Sequence, residues 1–125
     1  MKPRILFVED EAQFREILSL YFQHKGCDIQ TASNVQAAKE SLGKDPFDLV
    51  ILDLGLADED GLEVLRFSKA RAPSLPVVIF TGLEMNEHLV KSCLQGHADG
   101  FMRKTEGLDK LYAEVRRHLD GVASN

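Results

Sequence analysis

The chain has no long hydrophobic run, only two cysteines and fewer basic than acidic residues, and each shortage excludes something. No apolar stretch approaches the length that crosses a bilayer, and Met1-Lys2-Pro3-Arg4 leads straight into a short apolar run without a leader segment. Cys27 and Cys93 stand far apart, which argues against a disulfide framework or a thiol metal site. A reducing cytoplasm is the expected setting. Lys and Arg total 15 against 20 Asp and Glu, leaving a net charge of −5. A nucleic-acid surface is not expected, because such domains display a basic patch. The one local basic cluster, Arg116-Arg117-His118, reads as a solvated helix end. There is no internal repeat or low-complexity stretch, and no Gly-rich phosphate loop follows the first apolar run.

What is present is an alternation of short apolar runs and amphipathic segments. At 125 residues the chain suits one domain, with a core from about residue 4 to 119 and a short C-terminal tail. The first strand spans about Arg4 to Val8. A helix follows from Ala12 to His24, with Phe14, Ile17, Leu18 and Tyr21 at helical spacing. Asp28 to Ala32 alternates in polarity, as a half-exposed edge strand would. Asn34 reads as the N-cap of a second helix whose stripe is Val35, Ala38 and Leu42, stopped by Gly43 and Pro46.

Asp48 to Leu52 is the third strand, residues 57–60 a loop, and Gly61 to Ala70 the third helix. The fourth strand is Val77 to Phe80. Asn86 caps a helix ending at Gly96, Asp99 to Arg103 is the fifth strand, and Leu108 to Leu119 supplies the last helix. The sum is an α/β fold, (βα)5, a doubly wound parallel sheet of flavodoxin-like order 2-1-3-4-5. Right-handed crossovers then place the first and last helices on one face.

Such sheets build their sites at the carboxyl ends of their strands. Glu9, Asp10, Asp53, Thr81 and Lys104 all fall there. Carboxylates held together are costly unless a cation or proton joins them. The inventory suits phosphoryl transfer: a carboxylate nucleophile, Mg²⁺ on oxygen ligands, and Lys and Thr for the remaining oxygens. Taken singly, Thr81 reads as a strand-end residue, Phe101 as core packing and Lys104 as a surface lysine. The histidines His24, His88, His97 and His118 fall away from the acid edge.

Five segments together resemble the receiver domain of two-component response regulators: Val8-Glu9-Asp10-Glu11, Asp48 to Asp53, Asp60-Gly61, Thr81-Gly82 and Gly100 to Lys104. The resemblance implies that Asp53 is the phosphoacceptor for a phosphohistidine kinase or phosphotransfer protein. It implies Mg²⁺ held by Asp10, Asp53 and the carbonyl of Gly55, with Glu9 acting mostly through a metal-bound water. Lys104 would pair with a phosphoryl oxygen, and Thr81 and Phe101 would form the switch. The readout face would be the fourth helix, fifth strand and fifth helix.

The chain would then be a signalling domain rather than an enzyme, catalysing only its own phosphorylation and dephosphorylation. Its downstream protein partner is not specified, and a phosphorylation-dependent dimer is left open. Rival readings are a degenerate receiver that only binds protein and a Mg²⁺-dependent aspartyl phosphatase. The latter usually carries a second Asp where Gly55 stands.

Three departures from the family pattern stand out. Thr105 replaces the proline that usually follows the lysine, leaving the Lys104–Thr105 bond cis or trans, and Thr105 is a candidate cap for the last helix. Ala57 stands where a second proline is usual, and His97 takes the place of a helix-ending glycine. Gly55 puts no side chain beside the phosphoryl group, which predicts open access and fast hydrolysis.

Overall fold

The computed structural model describes residues 2–84 and 86–123. Five parallel strands form one sheet: β1 (Arg4–Val8), β2 (Asp28–Ala32), β3 (Leu49–Leu52), β4 (Val77–Thr81) and β5 (Gly100–Arg103). Their spatial order is β2-β1-β3-β4-β5, as the alternation of runs predicts. The helices are α1 (Ala12–His24), α2 (Val35–Lys44), α3 (Leu62–Arg71), α4 (Glu87–Gln95) and α5 (Leu108–Ala123). The last helix thus outruns the expected bound at Leu119, and Ser124 and Asn125 of the expected tail lie outside the described residues.

The period-two alternation of the central strands divides the core in two. Ile5, Phe7, Leu49, Ile51, Val78 and Phe80 join Leu18 and Phe22 of α1 with Leu111 and Val115 of α5. Leu6, Val8, Val50, Leu52, Val77 and Ile79 join α2, α3 and Cys93 of α4 on the other face. The first and last helices therefore share a face, as handedness requires. They are also clasped at the surface. Lys25 Nζ lies over the rings of both Tyr21 and Tyr112, and the Tyr21 hydroxyl donates to Asp109.

Several boundaries follow the sequence chemistry. Asn34 Oδ1 accepts from the N–H of Ala37 at 2.7 Å, and Asn86 Oδ1 from that of Leu89 at 2.8 Å, so both predicted caps are made. Other details differ. Ile17 is 54% exposed, because Leu18 and Phe22 carry the buried stripe of α1. Gly43 lies inside α2, which continues to Lys44. The segment expected as a loop contains a small antiparallel ladder, Gly55–Leu56 against Glu59–Asp60.

That ladder explains a missing proline. Ala57 turns it at φ 52, which the proline ring cannot reach. The basic cluster is not at a helix end. Arg116 pairs with Asp120 at 2.5 Å and Arg117 with Glu114 at 2.6 Å within α5. His97 takes the left-handed turn after α4 at φ 65. Gly96 serves a different need, since a Cβ there would stand 2.7 Å from Leu65 Cδ2 of α3.

Candidate functional site

The carboxyl ends of β1, β3, β4 and β5 bring Glu9, Asp53, Thr81 and Lys104 into one bonded cluster. Each residue directly follows or closes a strand, and the parallel pairings Val8 with Leu52, Leu52 with Ile79 and Thr81 with Arg103 hold the four ends at one height. Asp53 is the centre. Its Oδ1 accepts from Thr81 Oγ1 at 2.8 Å and from the N–H of Gly55 at 2.9 Å, and its Oδ2 faces Lys104 Nζ at 2.8 Å. Lys104 Nζ also meets Glu9 Oε1 at 2.5 Å. Glu9, Asp53 and Thr81 are buried, whereas Asp10 is exposed at the rim.

Burial and donors pull the two buried carboxyls in opposite directions. Burial pushes Glu9 up to about 7, and the charge of Asp53 adds to this against the pull of Lys104. Burial also works to raise Asp53. There it is outweighed by hydrogen bonds from Lys104, Gly55 and Thr81, which hold the carboxyl below its ordinary range. Lys104 is desolvated too, yet Asp53 and Glu9 hold its ammonium above the usual lysine range. The nucleophile candidate thus stays ionised while its neighbour takes a proton near neutrality.

The carboxylates also outnumber the cations at this edge. Ligand oxygens of Glu9, Asp10 and Asp53 lie within 4.8 Å of one another. Three carboxylates around one ammonium form a hard-oxygen donor set short of a cation, which suits a divalent ion such as Mg²⁺. Glu9 was expected to act mostly through a metal-bound water. Its direct contact with Lys104 gives it a second role, as a partner of the lysine. Gly55 offers its N–H to Asp53.

Gly61 is buried, and a Cβ there would stand 2.8 Å from Leu54 Cα, so α3 can start against the loop after Asp53 only without a side chain. The space beside Gly55 is bordered by Leu83. A Cβ at Gly55 would meet Leu83 Cγ and Asp53 Oδ1, each at 3.5 Å. This revises the expectation of open access. Thr81 Oγ1 also accepts from the N–H of Leu83 at 3.1 Å, so Thr81 links the acid cluster to that loop. Phe101 lies on β5 with 37% of its surface exposed rather than in the core.

Lys104 begins a turn of 3-10 helix, Lys104–Glu106, and no peptide bond among the described residues is cis. The Lys104–Thr105 bond is therefore trans. Thr105 sits inside this turn and does not cap α5, which starts after Gly107. The side chain of Glu106 accepts from the N–H of Arg103 at 2.9 Å and closes the turn.

One neighbour escaped sequence reasoning. Phe14, read only as part of an apolar stripe, places its ring 4.6 Å from Lys104 Nζ. Its position one turn into the helix that follows the acidic loop was the available signal. The histidines lie on helices or turns outside this cluster, as expected.

Comparison with known proteins agrees with this geometry. Residues 5–116 match the family model described as the response regulator receiver domain. The chain is 31% identical over 110 residues to the response regulator protein PilR of Pseudomonas aeruginosa, covering 88% of this chain and 24% of that protein. It is 32% identical over 124 residues to the transcriptional regulatory protein PhoP of Escherichia coli, covering 97% of this chain and 55% of that protein. The chain therefore spans from a quarter to about half the length of these curated relatives. A CheY-like receiver domain structure from Methanospirillum hungatei superposes with a TM-score of 0.92 at 21% identity, covering 97% of this chain and 96% of that one. No helix among the described residues is long and apolar enough to cross a membrane.

Proposed function

The chain belongs to the response regulator receiver family, and from that premise we propose that it is a phosphoacceptor whose nucleophile is Asp53. The observation that carries this reading is the convergence on one aspartate of Thr81, Lys104 and the Gly55 N–H, beside Glu9 and Asp10. A carboxylate held ionised by three donors is ready to attack. The bond that forms joins an Asp53 oxygen to phosphorus. The bond that breaks joins phosphorus to the imidazole nitrogen of a phosphohistidine donor, and that nitrogen leaves with the bonding pair. The donor is a sensor histidine kinase or a phosphotransfer protein.

The chain's own residues manage the charge. Lys104 already stands between Asp53 and Glu9 and needs only a small shift to reach a phosphoryl oxygen. Thr81 Oγ1 turns from Asp53 toward another. Glu9, Asp10 and Asp53 would hold Mg²⁺, with the Gly55 carbonyl as a further ligand. The ion would supply positive charge to the transferring oxygens. The domain catalyses only its own loading and unloading and turns over no separate substrate.

The switch follows from Thr81. When its hydroxyl leaves the N–H of Leu83, the loop before α4 is released and room opens for Phe101 to turn inward. The face of α4, β5 and α5 then changes affinity for a downstream protein in the cytoplasm. Incubation with phosphoramidate and Mg²⁺ tests the core of this. We expect an acid-stable, base-labile adduct on Asp53 that is absent in Asp53→Asn. An unmodified wild-type chain would refute the phosphoacceptor reading, and continuous phosphate release from a separate ester would favour a phosphatase.

A further inference from the structure

We propose that Phe14 is a positioning residue for Lys104, an inference that rests on the phosphoacceptor reading and adds a residue to it. A lysine head on a four-carbon stem is a mobile point charge, and its aim must be set by what surrounds it. Here the turn after Lys104 carries Thr105 on a trans bond, so a fixed proline does not set that aim. Side-chain contacts take over. The stem runs past Gly82, where a Cβ would come 3.7 Å from Lys104 Cδ. The ammonium lies over the Phe14 ring, 4.6 Å from its centroid.

The ring is itself held firmly. It meets Phe7 of β1 edge-on at 5.9 Å and stacks on Phe80 of β4 at 6.0 Å. Both rings belong to the buried sheet core, and Phe80 immediately precedes Thr81. The lysine's rest is thus built from the same strands as the acid cluster. Its chemistry also suits the task. Glu9 and Asp53 attract the ammonium strongly but are wanted elsewhere during transfer. An aromatic face attracts a cation through its quadrupole and competes for no phosphoryl oxygen. The ring therefore keeps Lys104 at the site while its ionic partners change.

Phe14→Leu removes the π face and keeps an apolar side chain; Phe14→Tyr keeps the face. Two readouts are needed. In the metal-free protein, the NMR signals of the Lys104 ammonium and ε-methylene protons report the ring current of Phe14. We expect them upfield in wild type and Phe14→Tyr, and near exposed-lysine positions in Phe14→Leu. With phosphoramidate and Mg²⁺, we expect Phe14→Leu to load Asp53 about fivefold more slowly, the factor that about 1 kcal/mol represents. Phe14→Tyr should stay within about twofold of wild type on the same conversion.

Unchanged Lys104 signals in Phe14→Leu, or equal damage from Leu and Tyr, would overturn the proposal. If wild type takes no phosphoryl group, the functional reading falls on that arm alone. The NMR arm still decides the positioning when it includes the NOE between the Lys104 δ-methylene and Gly82 Hα, which Phe14→Leu should weaken only if the lysine stem moves.

Discussion

Lys104→Met isolates the electrostatics of the site. The substitution keeps an unbranched apolar stem and removes the ammonium shared by Glu9 and Asp53. Hydrogen bonds to charged groups contribute about 1.5–3 kcal/mol each. At pH 5.5 Glu9 is protonated in both proteins, since its folded carboxyl titrates at about 7. The ion pair lost is then the one with Asp53, and the expected loss of stability is about 2 kcal/mol.

Above neutrality the two proteins diverge. A folded carboxyl raised from 4.5 to about 7 binds a proton that the unfolded chain has released, so stability falls as pH rises through that window and then levels. In wild type the levelling comes near pH 7. Without the ammonium, Glu9 keeps its proton to higher pH and the decline continues at about 1.4 kcal/mol per pH unit. The gap at pH 8 should therefore reach about 3–4 kcal/mol, within the usual range for breaking a buried pair.

Urea unfolding followed by circular dichroism, with chelator present, measures both gaps. Adding Mg²⁺ should stabilise both proteins by binding only the folded state, and should recover more of the loss in Lys104→Met. A gap that is the same at pH 5.5 and pH 8, or no gap at pH 8, would refute this account of the acid cluster.

Three further outcomes are expected. The hydrogen bond to Asp109 pushes the Tyr21 phenol up to about 12, so its contribution to stability is full below about pH 10 and is lost as pH climbs from there to about 12. Absorbance titration should show one late-ionising tyrosine, and Tyr21→Phe should abolish it. Gly61→Ala forces a Cβ to within 2.8 Å of the Leu54 backbone. It should cost about 1–3 kcal/mol in denaturant unfolding, and wild-type stability would contradict that crowding. Leu83→Ala uncovers the space beside Gly55, so the phosphoryl group on Asp53 should hydrolyse several-fold faster; an unchanged half-life would show that Leu83 does not limit water.

The fold was legible because its central strands are apolar on both faces and so stand out as runs. Arg4–Val8 and Asp28–Ala32 fall at the expected bounds, and Asn34 and Asn86 cap the helices they announce. The acid cluster was legible because chain order and parallel topology together put strand ends at one edge. What stayed hidden depends on direction rather than position. Ile17 and Leu18 are neighbours of equal hydropathy, and only the turn of α1 decides which is buried. Spacing places Phe14 on α1, but the path of the Lys104 stem decides that its ring meets an ammonium. Ala57 and Thr105 signal that prolines are missing without revealing the left-handed turn and the trans bond that take their place.

The tight fit of Gly96 against Leu65 gives α4 two unequal ends. Its C-terminal end lies close against Leu65 of α3, while its N-terminal end follows the loop that Thr81 contacts through Leu83. If the Leu83 contact is released, α4 should therefore pivot about its Gly96 end rather than slide, with more travel at Asn86 and Glu87 than at Gln95.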